Sequence, residues 1–122
     1  MKCTLAELLM GRHHEYPPTA EMLDNANKLL IAINIVREAR GIPQKTSSGY
    51  RPGRFNKNYA KRSDHTTLSA WDFEDVDGSF DAWCMANLPV LERAGLWLEH
   101  PDSTPGWTHL TIAPKKNRVF RP

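Results

Sequence analysis

Ser63-Asp64-His65-Thr66-Thr67-Leu68-Ser69-Ala70-Trp71-Asp72-Phe73-Glu74 is the stretch on which the fold turns. Its last five residues alternate small or acidic side chains (Ala70, Asp72, Glu74) with aromatic ones (Trp71, Phe73), the period of two that predicts a strand with one packed face. Asp72 then points away from the aromatic side. Downstream, Trp107 to Ile112 alternates in the same way: Thr108, Leu110 and Ile112 share one face, while Trp107, His109 and Thr111 share the other. His109, like Asp72, is projected out of the apolar layer.

The segments around these two strands complete an α+β reading. Thr4 and Glu7 form a capping-box pair that predicts a short helix to about Met10. Thr19 caps a long helix with Leu23, Ala26, Leu30 and Ile33 as its apolar stripe, stopped at Arg40-Gly41 with Pro43 beyond. Asn25, Asn27 and Asn34 lower the propensity of that helix, so packing must supply its stability. Gln44 to Ser48 reads as a strand, and Gly49 to Arg62 as a long loop with a helical turn near Asn56 to Ala60. Asp77-Gly78 marks a turn, Ser79 or Asp81 opens a helix through Met85, and Pro89 breaks it or opens a second turn ending at Gly95. Leu96 to Glu99 is a further strand. The expected fold has N-terminal helices packed on one face of a small, mostly antiparallel sheet, with the chemistry on the other face.

Three residues can meet on that open face: His65 just before one strand, Asp72 within it, and His109 on another. Two imidazoles and a carboxylate suit Zn²⁺, and three protein ligands leave a fourth position for water, the arrangement of a catalytic site. A histidine near a strand is also commonly a plain surface or hydrogen-bonded residue, so spacing alone leaves both readings open.

The run from Ser63 to Asp72 resembles the S-x-H-x-x-G-x-A-x-D signature of the M15 zinc peptidases, which include D-Ala-D-Ala carboxypeptidases and L-alanyl-D-glutamate endopeptidases. Trp107-Thr108-His109 is similar to the element carrying that family's second zinc histidine, and Ser47-Ser48-Gly49-Tyr50-Arg51-Pro52 to its S-G-Y-R element. The run from Glu99 through Pro105-Gly106-Trp107 to Phe120 resembles small phage-type members. The resemblance implies one catalytic domain over residues 1–122, with His65, Asp72 and His109 holding Zn²⁺. The ion would polarise the scissile carbonyl and lower the pKa of bound water. Arg51 would bind a substrate carboxylate or the developing oxyanion. Tyr50 and Trp107 would line the substrate, or else be ordinary packing aromatics. The implied partner is a peptidoglycan stem peptide, the implied setting a phage or prophage endolysin acting as a monomer.

Two positions depart from the pattern. The motif glycine is replaced by Leu68, which fits if the backbone there keeps a negative φ. The acid that many members carry three residues before the second zinc histidine is replaced by Gly106. Glu99, at the end of a neighbouring strand, is the first candidate for the general base, followed by Asp102 and His100. A chain without a working base would hold zinc yet turn over little, which leaves open a catalytically silent wall-binding module.

Composition narrows the remaining classes. The 122 residues carry 16 Lys+Arg against 14 Asp+Glu, a formal charge of +2, which is not that of a dedicated nucleic-acid binder. The excess is concentrated at Arg51, Arg54, Lys57, Lys61 and Arg62, interleaved with Tyr50, Phe55 and Tyr59. That stretch suits single-stranded nucleic acid in isolation; beside a zinc site it reads as one wall of a groove for an anionic peptide. Cys3 and Cys84 form no CxxC pair and no disulfide framework, and Cys84 reads as buried and inert. His13 and His14 are read as surface residues, and Glu74, Asp75 and Asp77 as strand-end and turn acids without the spacing of a Ca²⁺ loop. Neither a signal peptide nor a spanning run of roughly 20 apolar residues is present, so a cytoplasmic product released to the wall by other means is expected.

Overall fold

Trp71 and Phe73 face the hydrophobic core from one strand of a five-stranded sheet. In the computed structural model, which describes residues 2–52 and 63–122, the elements are helix α1 (Leu5–Leu9), helix α2 (Ala20–Arg40), strand β1 (Thr46–Ser48), strand β2 (Ala70–Glu74), helix α3 (Ser79–Ala86), helix α4 (Leu88–Ala94), strand β3 (Trp97–Glu99), strand β4 (Trp107–Thr111) and strand β5 (Val119–Phe120). A short 3₁₀ turn, Pro101–Ser103, joins β3 to β4. The strands form one sheet in the order β1-β2-β4-β3-β5, antiparallel except for the β3–β5 pair. This is an α+β fold. No helix among the described residues is long and apolar enough to cross a membrane.

The helix ends follow from local chemistry. Thr4 Oγ1 accepts from Glu7 N at 3.3 Å while Glu7 Oε1 accepts from Thr4 N at 3.0 Å, the reciprocal box that starts α1. Thr19 Oγ1 accepts from Met22 N at 3.1 Å to start α2, and Gly41 ends it at φ 76°. Pro89 sits in the first turn of α4, where its missing N–H costs no hydrogen bond.

Trp71, Phe73, Leu98 and Leu110 join Leu8, Leu9, Ala26, Leu29, Ile33, Val36, Phe80 and Leu91 in one hydrophobic core. The alternate strand positions Asp72, His109 and Glu99 do not belong to it, as the period of two requires. The buried stripe of α2 is Ala26, Leu29, Ala32, Ile33 and Val36, whereas Leu23 is 38% exposed and Leu30 only partly buried. Apolar residues occur all round this helix, Ile31 included, so periodicity selects no unique face.

Three further expectations shift. β1 begins at Thr46; Gln44 instead uses its side chain, donating to Glu74 O and accepting from Arg40 Nη1 at 2.6 Å. β5 is an additional strand, too short to leave a periodic signal. The helical turn expected near Asn56 to Ala60 lies outside the described residues, as do Arg54, Phe55, Lys57, Tyr59, Lys61 and Arg62 of the basic stretch.

Candidate metal centre

The register of the sheet builds the site. Asp72 on β2 is directly opposite His109 on β4. Leu98 on β3 is opposite Leu110, so one step along the same antiparallel register Glu99 falls opposite His109. Ser48 pairs with Asp72 at one end and Phe120 with Glu99 at the other. One row of side chains therefore runs Ser48, Asp72, His109, Glu99, Phe120 across the strands, and directly opposed residues on one face lie close enough to interact.

His65 reaches this row from the loop that precedes β2. Ser63 Oγ accepts from His65 N at 3.2 Å, Asp64 O accepts from Ser69 N at 2.9 Å, and Asn25 of α2 donates to Thr67 O at 3.1 Å. Asp64 also accepts from Thr111 Oγ1 at 3.0 Å and pairs with Lys115 at 2.9 Å, which ties the loop to the far end of β4.

The three side chains are buried and their ligand atoms all lie within 4.8 Å of one another, so the group could hold a metal ion. His109 Nδ1 is 2.7 Å from Asp72 Oδ1, and His65 Nε2 is 3.2 Å from Asp72 Oδ2. His65 Nδ1 lies 2.8 Å from the Gly49 carbonyl. A carbonyl only accepts, so Nδ1 carries the hydrogen and Nε2 keeps a lone pair directed at Asp72. Nε2 is buried with no hydrogen-bond donor beside it among the described residues, and its nearest polar neighbour is the Asp72 carboxylate, so a proton or a cation can bridge the two. Burial pushes the His65 imidazole below its ordinary pKa, with Asp72 acting in the opposite sense. Burial alone would raise Asp72, but the two imidazoles together outweigh it and hold the carboxyl well below the usual range. Both shifts run toward a carboxylate beside a neutral imidazole, the protonation that a cation needs.

Glu99 borders this group: burial raises its pKa and the Asp72 charge adds to that, while His109, Lys115 and Arg51 act against it. Arg51 is partly buried, its charge acts on both His65 and Glu99, and its Nε is buried with no hydrogen-bond partner among the described residues. Trp107 is half-buried opposite Glu74.

Three expectations are corrected. Tyr50 is only 2% exposed and donates to Tyr16 O at 3.0 Å, so it supports the site from within the core and lines no groove. Asp102 is solvent-exposed and engages Arg121 at 3.4 Å and His100 at 3.7 Å; none of these contacts reaches the three ligands. Leu68 has φ 60° and is fully buried, so the leucine occupies the left-handed conformation that a glycine would take without strain. Gly106 sits in a turn with φ 91°, its carbonyl accepting from Asp75 N at 2.9 Å. The role of Gly49 was missed by the sequence reading: a Cβ there would lie 2.1 Å from Leu8 O. The glycine of the Ser48-Gly49-Tyr50-Arg51 element marked the position, but only the tertiary contact with Leu8 shows why a glycine is required there.

The fold and site thus define an α+β chain with a buried His-Asp-His group able to bind a metal. Comparisons with family models, curated proteins and solved structures return no match.

Proposed function

We propose that the protein is a zinc-dependent peptidase that hydrolyses peptidoglycan stem peptides, the activity of a small phage endolysin. The observation that carries the reading is the buried cluster of His65, Asp72 and His109, in which Nε2 of His65 faces the Asp72 carboxylate with no hydrogen-bond donor between them among the described residues. Two imidazoles and one carboxylate fit zinc, and three ligands leave a position open to substrate. When bound, zinc would supply a Lewis acid that polarises the scissile carbonyl and makes a water easier to deprotonate.

The chain's own groups provide the rest. Glu99, one strand across from His109 and raised by burial, would take the proton of the attacking water and pass it to the leaving amine. Arg51, whose charge acts on His65 and Glu99 and whose Nε has no hydrogen-bond partner among the described residues, would meet the negative charge that develops on the carbonyl oxygen. Gly49 holds His65 in the ligating tautomer through its carbonyl.

Metal analysis and turbidity clearing of permeabilised cells test this. The wild type should carry about one zinc per chain and clear the suspension; His65→Ala and Asp72→Asn should lose both properties. Glu99→Gln should keep the zinc and lose about 10²- to 10⁴-fold in rate. Absence of zinc, or undiminished lysis by the ligand variants, overturns the proposal. Zinc-loaded protein that sediments with walls without clearing them would identify a silent wall-binding module instead.

A further inference from the structure

Beyond the end of β2 the chain places acids at the start of α3. Asp75, Asp77 and Asp81 line a cavity of about 370 Å³ together with Thr104 and Gly106 from the connection between β3 and β4. No lysine, arginine or histidine among the described residues lines it. Three carboxylates and no basic side chain therefore border one space.

The three acids are not equivalent. Asp77 is exposed, and its Oδ1 accepts from Ser79 N at 3.0 Å. Asp75 is buried, and its two oxygens accept from Phe80 N, Asp81 N and Thr108 Oγ1, so the start of α3 already satisfies it. Asp81 is only 6% exposed, and its Oδ1 is buried with no hydrogen-bond partner among the described residues. Thr104, from a distant part of the chain, adds an independent observation: it is 1% exposed, and its Oγ1 also has no hydrogen-bond partner among the described residues. Thr104 is near enough to Asp81 for its hydroxyl to work against the rise in pKa that burial and the Asp75 charge cause, yet neither oxygen closes a hydrogen bond with the other. Two buried oxygens, one of them acidic, thus border the same cavity, an arrangement that costs a folded chain free energy unless a ligand meets them both.

The chemistry of the donors selects that ligand. The described lining offers no nitrogen or sulfur side-chain ligand of the kind that zinc and other transition metals favour. A carboxylate and a hydroxyl suit a hard cation, and a site that leaves most of the coordination to water tolerates the variable geometry of Ca²⁺ better than the strict octahedron of Mg²⁺.

We propose that this cavity binds Ca²⁺, with Asp81 Oδ1 and Thr104 Oγ1 as its protein ligands and water completing the shell. The ion would offset the negative charge of Asp81 beside Asp75. It would also tie α3 to the connection between β3, which carries Glu99, and β4, which carries His109. Two protein ligands place the affinity at the weak end of Ca²⁺ sites, with a Kd of about 10⁻⁴–10⁻³ M. The site shares no residue with His65, Asp72 and His109, so it stands or falls separately from the peptidase reading.

Thermal unfolding of the metal-freed full chain at about pH 7.5 tests this, with Ca²⁺ alone as the probe and NaCl matching the ionic strength. At about 10 mM Ca²⁺, roughly ten to a hundred times such a Kd, Tm should rise by about 4–15 °C, and Mg²⁺ at the same concentration should give a clearly smaller rise. Asp81→Asn and Thr104→Val should lose the Ca²⁺ shift, Thr104→Ser should keep it, and His65→Ala should keep it as well. No shift in the wild type overturns the proposal and leaves the two oxygens to an ordinary buried water. A shift retained in Asp81→Asn or in Thr104→Val, or equalled by Mg²⁺, also overturns it. So does a shift lost in His65→Ala, because the ion would then sit among the His65, Asp72 and His109 side chains.

Discussion

His65 owes its usefulness to the nitrogen that does not face the ligand group. Its Nδ1 is committed to Gly49 O, and Gly49 in turn is pressed against the backbone of Leu8, whose carbonyl also accepts from Tyr50 N at 2.8 Å. Gly49→Ala would drive a methyl into Leu8 O. Its expected cost is about 1–3 kcal/mol in chemical denaturation, together with a loss of about 10- to 100-fold in zinc affinity because the Gly49 carbonyl moves with it. Unchanged affinity at reduced stability would separate the glycine's packing role from its orienting one. Leu68 shows the opposite compromise. A left-handed backbone costs a leucine about 1–2 kcal/mol, but full burial of its side chain contributes roughly 1.5–3 kcal/mol, so packing outweighs the strain.

Helix α2 illustrates how an element can carry residues that disfavour it. Asn34 exchanges two hydrogen bonds with Cys3, at 2.7 and 3.1 Å, and Asn25 secures the loop that presents His65. Two of its three asparagines thus give up helix propensity for tertiary bonds. Helix α3 starts on a borrowed cap: Asp75 Oδ1 accepts from Phe80 N at 2.9 Å, and Oδ2 accepts from Asp81 N at 2.8 Å and from Thr108 Oγ1 at 2.9 Å. That leaves Asp81 buried beside a second carboxylate, with one oxygen lacking a partner among the described residues, and burial, reinforced by Asp75, pushes it up to about 6. The native state then binds a proton that the unfolded chain has released between about pH 4 and pH 6, so stability falls as pH rises through that window. Asp81→Asn should flatten this dependence and raise stability at pH 7.5 by about 1–2 kcal/mol, read from denaturant midpoints at pH 4.5 and 7.5. Unaltered pH dependence would show that Asp81 is ionised throughout. On the same helix, burial pushes Cys84 up to about 12, which leaves it a packing residue with no reactive thiolate.

At the scale of the molecule, the row from Ser48 to Phe120 makes the sheet a ruler on which the candidate metal ligands, Glu99 and Phe120 are set on successive strands. The candidate ligands come from β2, β4 and the loop between β1 and β2, so an ion bound there would cross-link them. Free zinc at a hundred times its Kd should add about 2.7 kcal/mol, roughly 8–15 °C in Tm for a chain of this length, reversed by a chelator. Calorimetry with and without zinc checks this, and His65→Ala should abolish the shift.

The strand alternation in Ala70–Glu74 and Trp107–Thr111, the caps at Thr4 and Thr19, and the projection of Asp72 and His109 out of the apolar layer were legible in the sequence. Each depends on local sterics or on the period of two, which neighbouring residues set by themselves. The α+β class followed from the order of those elements. Tertiary structure alone decided which face of α2 is buried, that Tyr50 supports the core, that Asp102 turns to Arg121, and that Leu68 adopts a positive φ. It also supplied β5 and so joined Phe120 to His109. These outcomes depend on contacts between residues far apart in the chain, where several arrangements are locally equivalent and only the fit of the whole selects one.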